Sequence, residues 1–214
     1  MATRKYAQKR RAEQQAETRR RIVEAIVALH REVGPARTTI SAIAERAGVE
    51  RLTVYRHFAD GAAMLEACSA HFNQEVAWPD PAEWAGVTVP AERLRSALLA
   101  FYGYYRRAED MLVQVQRDAP LLPALAPVLA PWERFVAEVR EGVLDGWVAR
   151  APARARLVAA VAHAFRFETW RSLARAEGLG DADAADLMVA LAQAAAGPAR
   201  RSPARRHRAG GRVA

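Results

Sequence analysis

Between Thr39 and Phe58 the chain sets hydrogen-bonding side chains around a single glycine, Gly48. Arg51, Thr53, Tyr55, Arg56 and His57 fall within seven residues, and Val54 and Phe58 lie four apart. On a helix, residues four apart share one face, so Val54 and Phe58 can point inward. Arg51, Thr53, Arg56 and His57 are then largely outward. A guanidinium at Arg51 can donate two hydrogen bonds to O6 and N7 of guanine. Thr53 suits a thymine methyl or a phosphate. Tyr55 and His57 suit phosphate oxygens, which fix register rather than sequence. Thr39 and Ser41 open a preceding helix, where backbone N–H groups and the helix dipole favour an anion.

The elements that must hold these side chains are short helices. Ile22, Ile26, Leu29 and Val33 predict a first helix over 17–33, with charged residues on its other faces. Gly34-Pro35 stops it. Thr39 is placed to cap a second helix with the buried stripe Ile40, Ile43, Ala44 and Ala47. Gly48 supplies the positive φ of a tight interhelix turn. A third helix follows over 51–58. Asp60 can cap a fourth carrying Met64, Leu65, Cys68 and Phe72. Helix, glycine turn and helix with polar side chains outward is the helix-turn-helix pattern, whose second helix fits the major groove.

The stretch TTISAIAERAGVERLTVYRHFADGAAMLEA, residues 38–67, strongly resembles the DNA-binding domain of TetR-type regulators, through IAERAGV followed by TVYRHF at this spacing. The resemblance extends over residues 17–72. It implies that Thr39, Ser41, Arg51, Leu52, Thr53, Tyr55 and His57 occupy DNA-contacting positions, with Arg56 beside them. Many such regulators place a phosphate-binding lysine just after the aspartate; this chain has Gly61 there. The basic N-terminal arm could compensate.

Enzyme chemistry finds little footing. There is no HExxH, no glycine-rich phosphate loop after a strand, no GxSxG and no cysteine–histidine set. His30, His57, His71, His163 and His207 are scattered; His30 and His71 could meet at a metal, but core or surface roles fit them better. The sequence thus predicts no catalytic residue, metal or cofactor. One cysteine, Cys68, excludes an intramolecular disulfide and reads as a small buried apolar residue in a reducing cytoplasm. No apolar run predicts a membrane span or a secretory signal.

The net charge of +8 is unevenly placed. Residues 1–21 hold eight Lys/Arg against two Glu, and residues 198–214 hold six Arg and no acid. The remainder is mildly acidic. Basicity therefore belongs to the ends, where it attracts polyanions without reading sequence. An arm over 1–16 and a tail over 197–214 are expected to be disordered.

Residues 73–196 predict a second, helical domain. Leu94, Leu98, Phe101 and Tyr105 mark a helix to about 107, followed by a short one over 109–117. Prolines 120, 123, 127 and 131 leave room only for short turns, with Pro131 opening a long helix to about 149. Further helices are expected over 152–176 and from Asp181 or Asp183 to about 196. The fold class is all-α: an N-terminal three-helix helix-turn-helix domain plus a C-terminal helical bundle, nine to ten helices in all. The TetR resemblance implies homodimerisation through helices 132–149 and 153–176, and a pocket for a small-molecule effector. Phe101, Tyr105, Trp132, His163, Phe167 and Trp170 are its candidate lining. The function this implies is a ligand-responsive repressor of a near-palindromic operator in double-stranded DNA, released by a small apolar or aromatic effector. A constitutive, sequence-tolerant DNA binder driven by the basic ends is the alternative.

Overall fold

A computed structural model describes residues 2–197, and the described residues are helices and turns without a strand. The tail expected to be disordered over 197–214 lies, from 198 onward, outside the described residues. Helix α1 runs Ala2–Glu32. The predicted start at 17 marks where its apolar stripe begins, not where the helix begins. Residues 2–16 are almost all good helix formers, with neither glycine nor proline, so nothing stops the helix in the expected disordered arm. Within α1, Ile22, Ile26 and Leu29 are buried.

A 3-10 turn, Pro35–Arg37, leads to α2, Ile40–Ala47, and α3, Arg51–His57. The Thr39 side chain accepts from the Ala42 N–H at 3.2 Å, capping α2. Gly48 closes it in the left-handed region at φ 63°. Its φ, and the Arg21 guanidinium that a Cβ would meet, restrict the position to glycine. Helix α4, Gly61–Glu75, is capped by Asp60, whose carboxylate accepts from the Ala63 N–H at 2.9 Å. Ile43, Ala44, Ala47, Val54, Phe58, Cys68 and Phe72 pack with the α1 stripe into the core of this head.

The body comprises α5 (Ala82–Ala85), α6 (Pro90–Asp118), α7 (Leu125–Val143), α8 (Ala153–Ala164), α9 (Phe167–Arg171) and α10 (Asp181–Ala196). A π turn, Ser172–Ala176, follows α9. Four boundaries differ from the sequence reading. The two helices expected over 91–117 are one, because Ala108 and Met111 keep the buried stripe going beneath the charged run at 106–110. Helix α7 begins six residues before Pro131 and contains it. Trp132, Phe135 and Val139 seat α7 on the core and hold it through the lost hydrogen bond. It ends at Val143 rather than 149, where Gly146 turns at φ 75° and the Trp147 indole donates to the Val143 carbonyl at 3.1 Å. The helix expected over 152–176 breaks after Ala164. There Tyr102 Oη donates to the Ala164 carbonyl at 3.0 Å and Tyr105 Oη donates to the Phe165 carbonyl, so α6 takes up the acceptors that the break releases.

Candidate nucleic-acid interface

Two arginines of α1 fasten the helix-turn-helix by its carbonyl ends. Arg21 donates to the carbonyls of Ala47 and Gly48 at the end of α2. Arg19 donates to the His57 carbonyl at the end of α3 and lies over the Phe58 ring. Positive charge at a helix C-terminus matches the dipole there. Arg46, inside the IAERAGV motif, forms a bidentate pair with Glu32 and so turns toward α1.

With α3 held from behind, its other face is open. Arg51, Leu52, Tyr55 and Arg56 are exposed, Leu52 by 55% and Tyr55 by 53%; Thr53 and His57 are half-buried. Val54 and Phe58 are buried, as their spacing predicts. Among the described residues no ion pair engages Arg51 or Arg56. Thr39 and Ser41 are exposed at the start of α2, beside α3. The structure therefore brings Thr39, Ser41, Arg51, Leu52, Tyr55 and Arg56 onto the exposed surface of the two short helices, with Thr53 and His57 half-buried among them. Gly61 opens α4 with nothing within 4 Å of the place its Cβ would take.

The predicted ligand residues divide differently. Phe101, Tyr105, Phe167 and Trp170 are buried ring on ring, with Phe101–Phe165 centroids at 4.8 Å and Tyr105–Phe167 at 5.6 Å. His163 is exposed on α8, its carbonyl accepting from Thr169 Oγ1 at 2.7 Å. Of the six, Trp132 alone lines a small, mostly apolar cavity of about 90 Å³ at the seam between head and body. Leu65, Cys68 and Phe72 of α4 form one wall, Tyr104, Met111 and Val115 of α6 another, and Leu125, Leu129 and Trp132 of α7 a third. Trp78 and His30 complete it. The helical spacing of Tyr104, Met111 and Val115 was the available signal for the missed wall.

No Asp, Glu, Lys or Arg lines this cavity. His30 Nδ1 is 3.2 Å from Cys68 Sγ. Burial presses the imidazole down to about 4, against the pull of the Asp118 carboxylate, and pushes the thiol up to about 12. Both are neutral near pH 7, so the contact joins an uncharged thiol and an uncharged imidazole, and the imidazole tautomer sets which of them donates. His71 turns elsewhere, to Glu75 at 3.2 Å.

A second seam joins the heads of these walls. Buried Asp118, at the end of α6, accepts from the Ala36 N–H at 2.9 Å and from Arg117 Nε at 2.7 Å. Arg117 Nη2 also donates to the Val33 carbonyl at 2.7 Å, and Gln114 Nε2 to the Glu32 carbonyl at 3.2 Å. The last turn of α6 thus caps the end of α1.

Residues 22–68 match the family model described as bacterial regulatory proteins, tetR family. The chain has the fold of a TetR-type transcriptional regulator. A TetR-like transcriptional regulator from Rhodococcus sp. RHA1 is similar over 82% of this chain and 93% of its own, at 19% identity and TM-score 0.58. The multidrug binding protein EbrR, solved with imidazole, is similar over 81% and 88%, at 20% identity and TM-score 0.57. AibR, solved with isovaleryl coenzyme A and operator DNA, is similar over 81% and 97%, at 19% identity and TM-score 0.56. No curated protein matches the chain. The TetR-type head is the matched segment, and no described helix is long and apolar enough to cross a membrane.

Proposed function

We propose that this chain is a ligand-responsive transcriptional repressor that binds a near-palindromic operator as a homodimer and is released by a small, neutral, apolar or aromatic effector. The observation that carries the reading is the outward set on α3: Arg51, Leu52, Thr53, Tyr55 and Arg56 offer donors and an apolar contact on a helix narrow enough for the major groove. Thr39, Ser41 and His57 flank it as phosphate contacts. AibR, of the same fold, is described in complex with operator DNA.

One short helix reads few base pairs, so two heads are needed. The dimer face fits α8 and α10 better than the pairing of 132–149 with 153–176. Helix α8 packs chiefly on α10, and the two leave Val158, Leu187 and Leu191 exposed by 37%, 46% and 43% beside exposed alanines. A self-complementary apolar face of this kind suits a twofold axis. The uncharged cavity favours a neutral effector. Its walls belong to α4, α6 and α7, and α6 also caps α1. An effector that binds one spacing of the heads more tightly than the other shifts the population toward it.

Selection of bound fragments from genomic duplexes by the full chain tests the reading. One enriched near-palindrome is expected, with specific binding abolished in Tyr55→Ala while the circular dichroism spectrum is unchanged. No enrichment at moderate salt sinks it. Binding that falls uniformly with salt and survives Arg51→Ala and Tyr55→Ala would favour the sequence-tolerant alternative, which the basic composition of the chain ends supports.

A further inference from the structure

The face of α1 that buries Ile22, Ile26 and Leu29 does not stop at residue 22. Followed toward the N-terminus at helical spacing, it continues as Thr18, Gln15, Gln14 and Arg11. These side chains look across an open groove of about 730 Å³ at Thr53, Arg56 and His57 of α3. The stripe thus changes chemistry where the core ends, from aliphatic to hydrogen-bond donor. Thr18 spends its hydroxyl proton on the Gln14 carbonyl, at 2.9 Å. Among the described residues the side chains of Gln14, Gln15 and Arg11 donate to none.

From Tyr6 to Arg21 the helix is exposed all round but for half-buried Thr18. A helix that buries nothing is held by propensity and by pairs one turn apart, here Lys9–Glu13 and Arg20 with Glu17 and Glu24. Arg10 and Arg11 enter no ion pair among the described residues. The first turn holds no acid, and residues 2–16 carry Arg4, Lys5, Lys9, Arg10 and Arg11 against Glu13 alone. Cations at the positive end of a helix dipole repel it, and an anion there is favoured by both. Donors on one wall, a basic rod and continuity with the recognition helix suit one occupant, a sugar-phosphate backbone.

Resting on the DNA-binding reading above, we propose that the groove between α1 and α3 receives the phosphate backbone at the edge of the half-site, and that the arm of α1 runs on over flanking duplex as a second DNA-contacting element. Fifteen residues of helix span about 22 Å. That is roughly six base pairs at about 3.4 Å each. Each dimer would then protect DNA beyond both ends of the sequence that α3 reads.

The test compares the full chain with Arg10→Gln/Arg11→Gln and with a chain lacking residues 2–11. The probes are a mixed-sequence duplex and the fragment enriched in the selection. The arm adds nothing to the core, so both variants should keep the wild-type melting temperature. Expected are a salt slope of binding lower by about 1.8 per head for the double variant, about 3.6 for a dimer that loses two phosphate contacts on each arm, and a hydroxyl-radical footprint shortened at both outer edges with the selected sequence unchanged. An unchanged slope and footprint overturn the proposal. So does a change of oligomeric state with DNA binding intact, which would make the groove a contact between copies. Failure to enrich any sequence strikes the repressor reading instead, and the slope on the mixed-sequence duplex still decides whether the arm carries phosphates.

Discussion

Arg19 Nη1 donates to the main-chain carbonyl of His57 across 2.8 Å, while the same guanidinium lies 4.2 Å from the centre of the Phe58 ring. One side chain therefore fixes where α3 ends and which way it faces. Arg19→Ala should lower stability by about 1–2 kcal/mol, from a charge-assisted hydrogen bond and a cation–π contact. Urea denaturation measures this. The loss should exceed that of Tyr55→Ala, which removes an exposed ring and should shift stability by no more than about 0.5 kcal/mol.

Gly61 marks a vacancy in the head's basic surface. Its Cβ position is open, so a long side chain enters without a clash. Gly61→Lys should tighten DNA binding and steepen its salt dependence by about 0.9 per head. Fluorescence anisotropy at several salt concentrations gives the slope, and no change would place residue 61 away from the backbone.

Gly34 has φ 90°, and a Cβ there would meet the Arg117 guanidinium and the Asp118 carboxylate. Gly34→Ala should therefore strain the turn and part α6 from α1 together, costing about 2–3 kcal/mol. Thermal melting reads the loss. Asp118→Asn should weaken the same seam without straining the backbone, so its effect should be smaller.

His30 gives the fold a pH dependence whose sign follows from burial. Its native value, about 4, lies below the ordinary 6.5. As pH falls through that window the unfolded chain takes up a proton that the native state does not, so stability falls. The full shift is worth on the order of 3 kcal/mol. Asp118 acts lower on the scale. Burial works to raise it, but the Arg117 guanidinium and the Ala36 N–H hold it below 3.8, so its contribution is intact above that pH and fades beneath it. In urea midpoints taken from pH 7 to 4, His30→Gln should flatten the decline.

The α8 and α10 face predicts its own disruption. Leu187→Glu/Leu191→Glu should yield a helical monomer in light scattering, because carboxylates on an apolar twofold face repel their mates. Operator binding should fall with dimer content. A dimer that persists in the double variant would move the interface elsewhere.

The head was legible because its signals are local: a threonine cap, one positive-φ glycine, an aspartate cap and apolar residues at helical spacing. The Arg19, Arg21 and Arg46 contacts were not, since each reaches a partner far along the chain. The body was read less well for the same reason. Its break after Ala164 follows no glycine or proline; it rests on Tyr102 and Tyr105, some sixty residues earlier. Helix α7 runs through Pro131 because tertiary packing outweighs the lost hydrogen bond, which local propensity cannot register. Of the six ligand candidates, Phe101, Tyr105, Phe167 and Trp170 are core, the commoner fate of rings on helices.

Helix α1 also has a mechanical meaning. It is one rod, clamped at Glu32 by the last turn of α6, tied to α3 at Arg19, and exposed all round from Glu17 back to Tyr6. At about 1.5 Å per residue its 31 residues make a lever of about 46 Å. A tilt of about 5° at the clamp, too small to unseat a side chain there, sweeps the free end by about 4 Å, roughly one base-pair step. The fulcrum sits in the body, the load arm passes the recognition helix, and the gain between them is set by the length of a single uninterrupted helix.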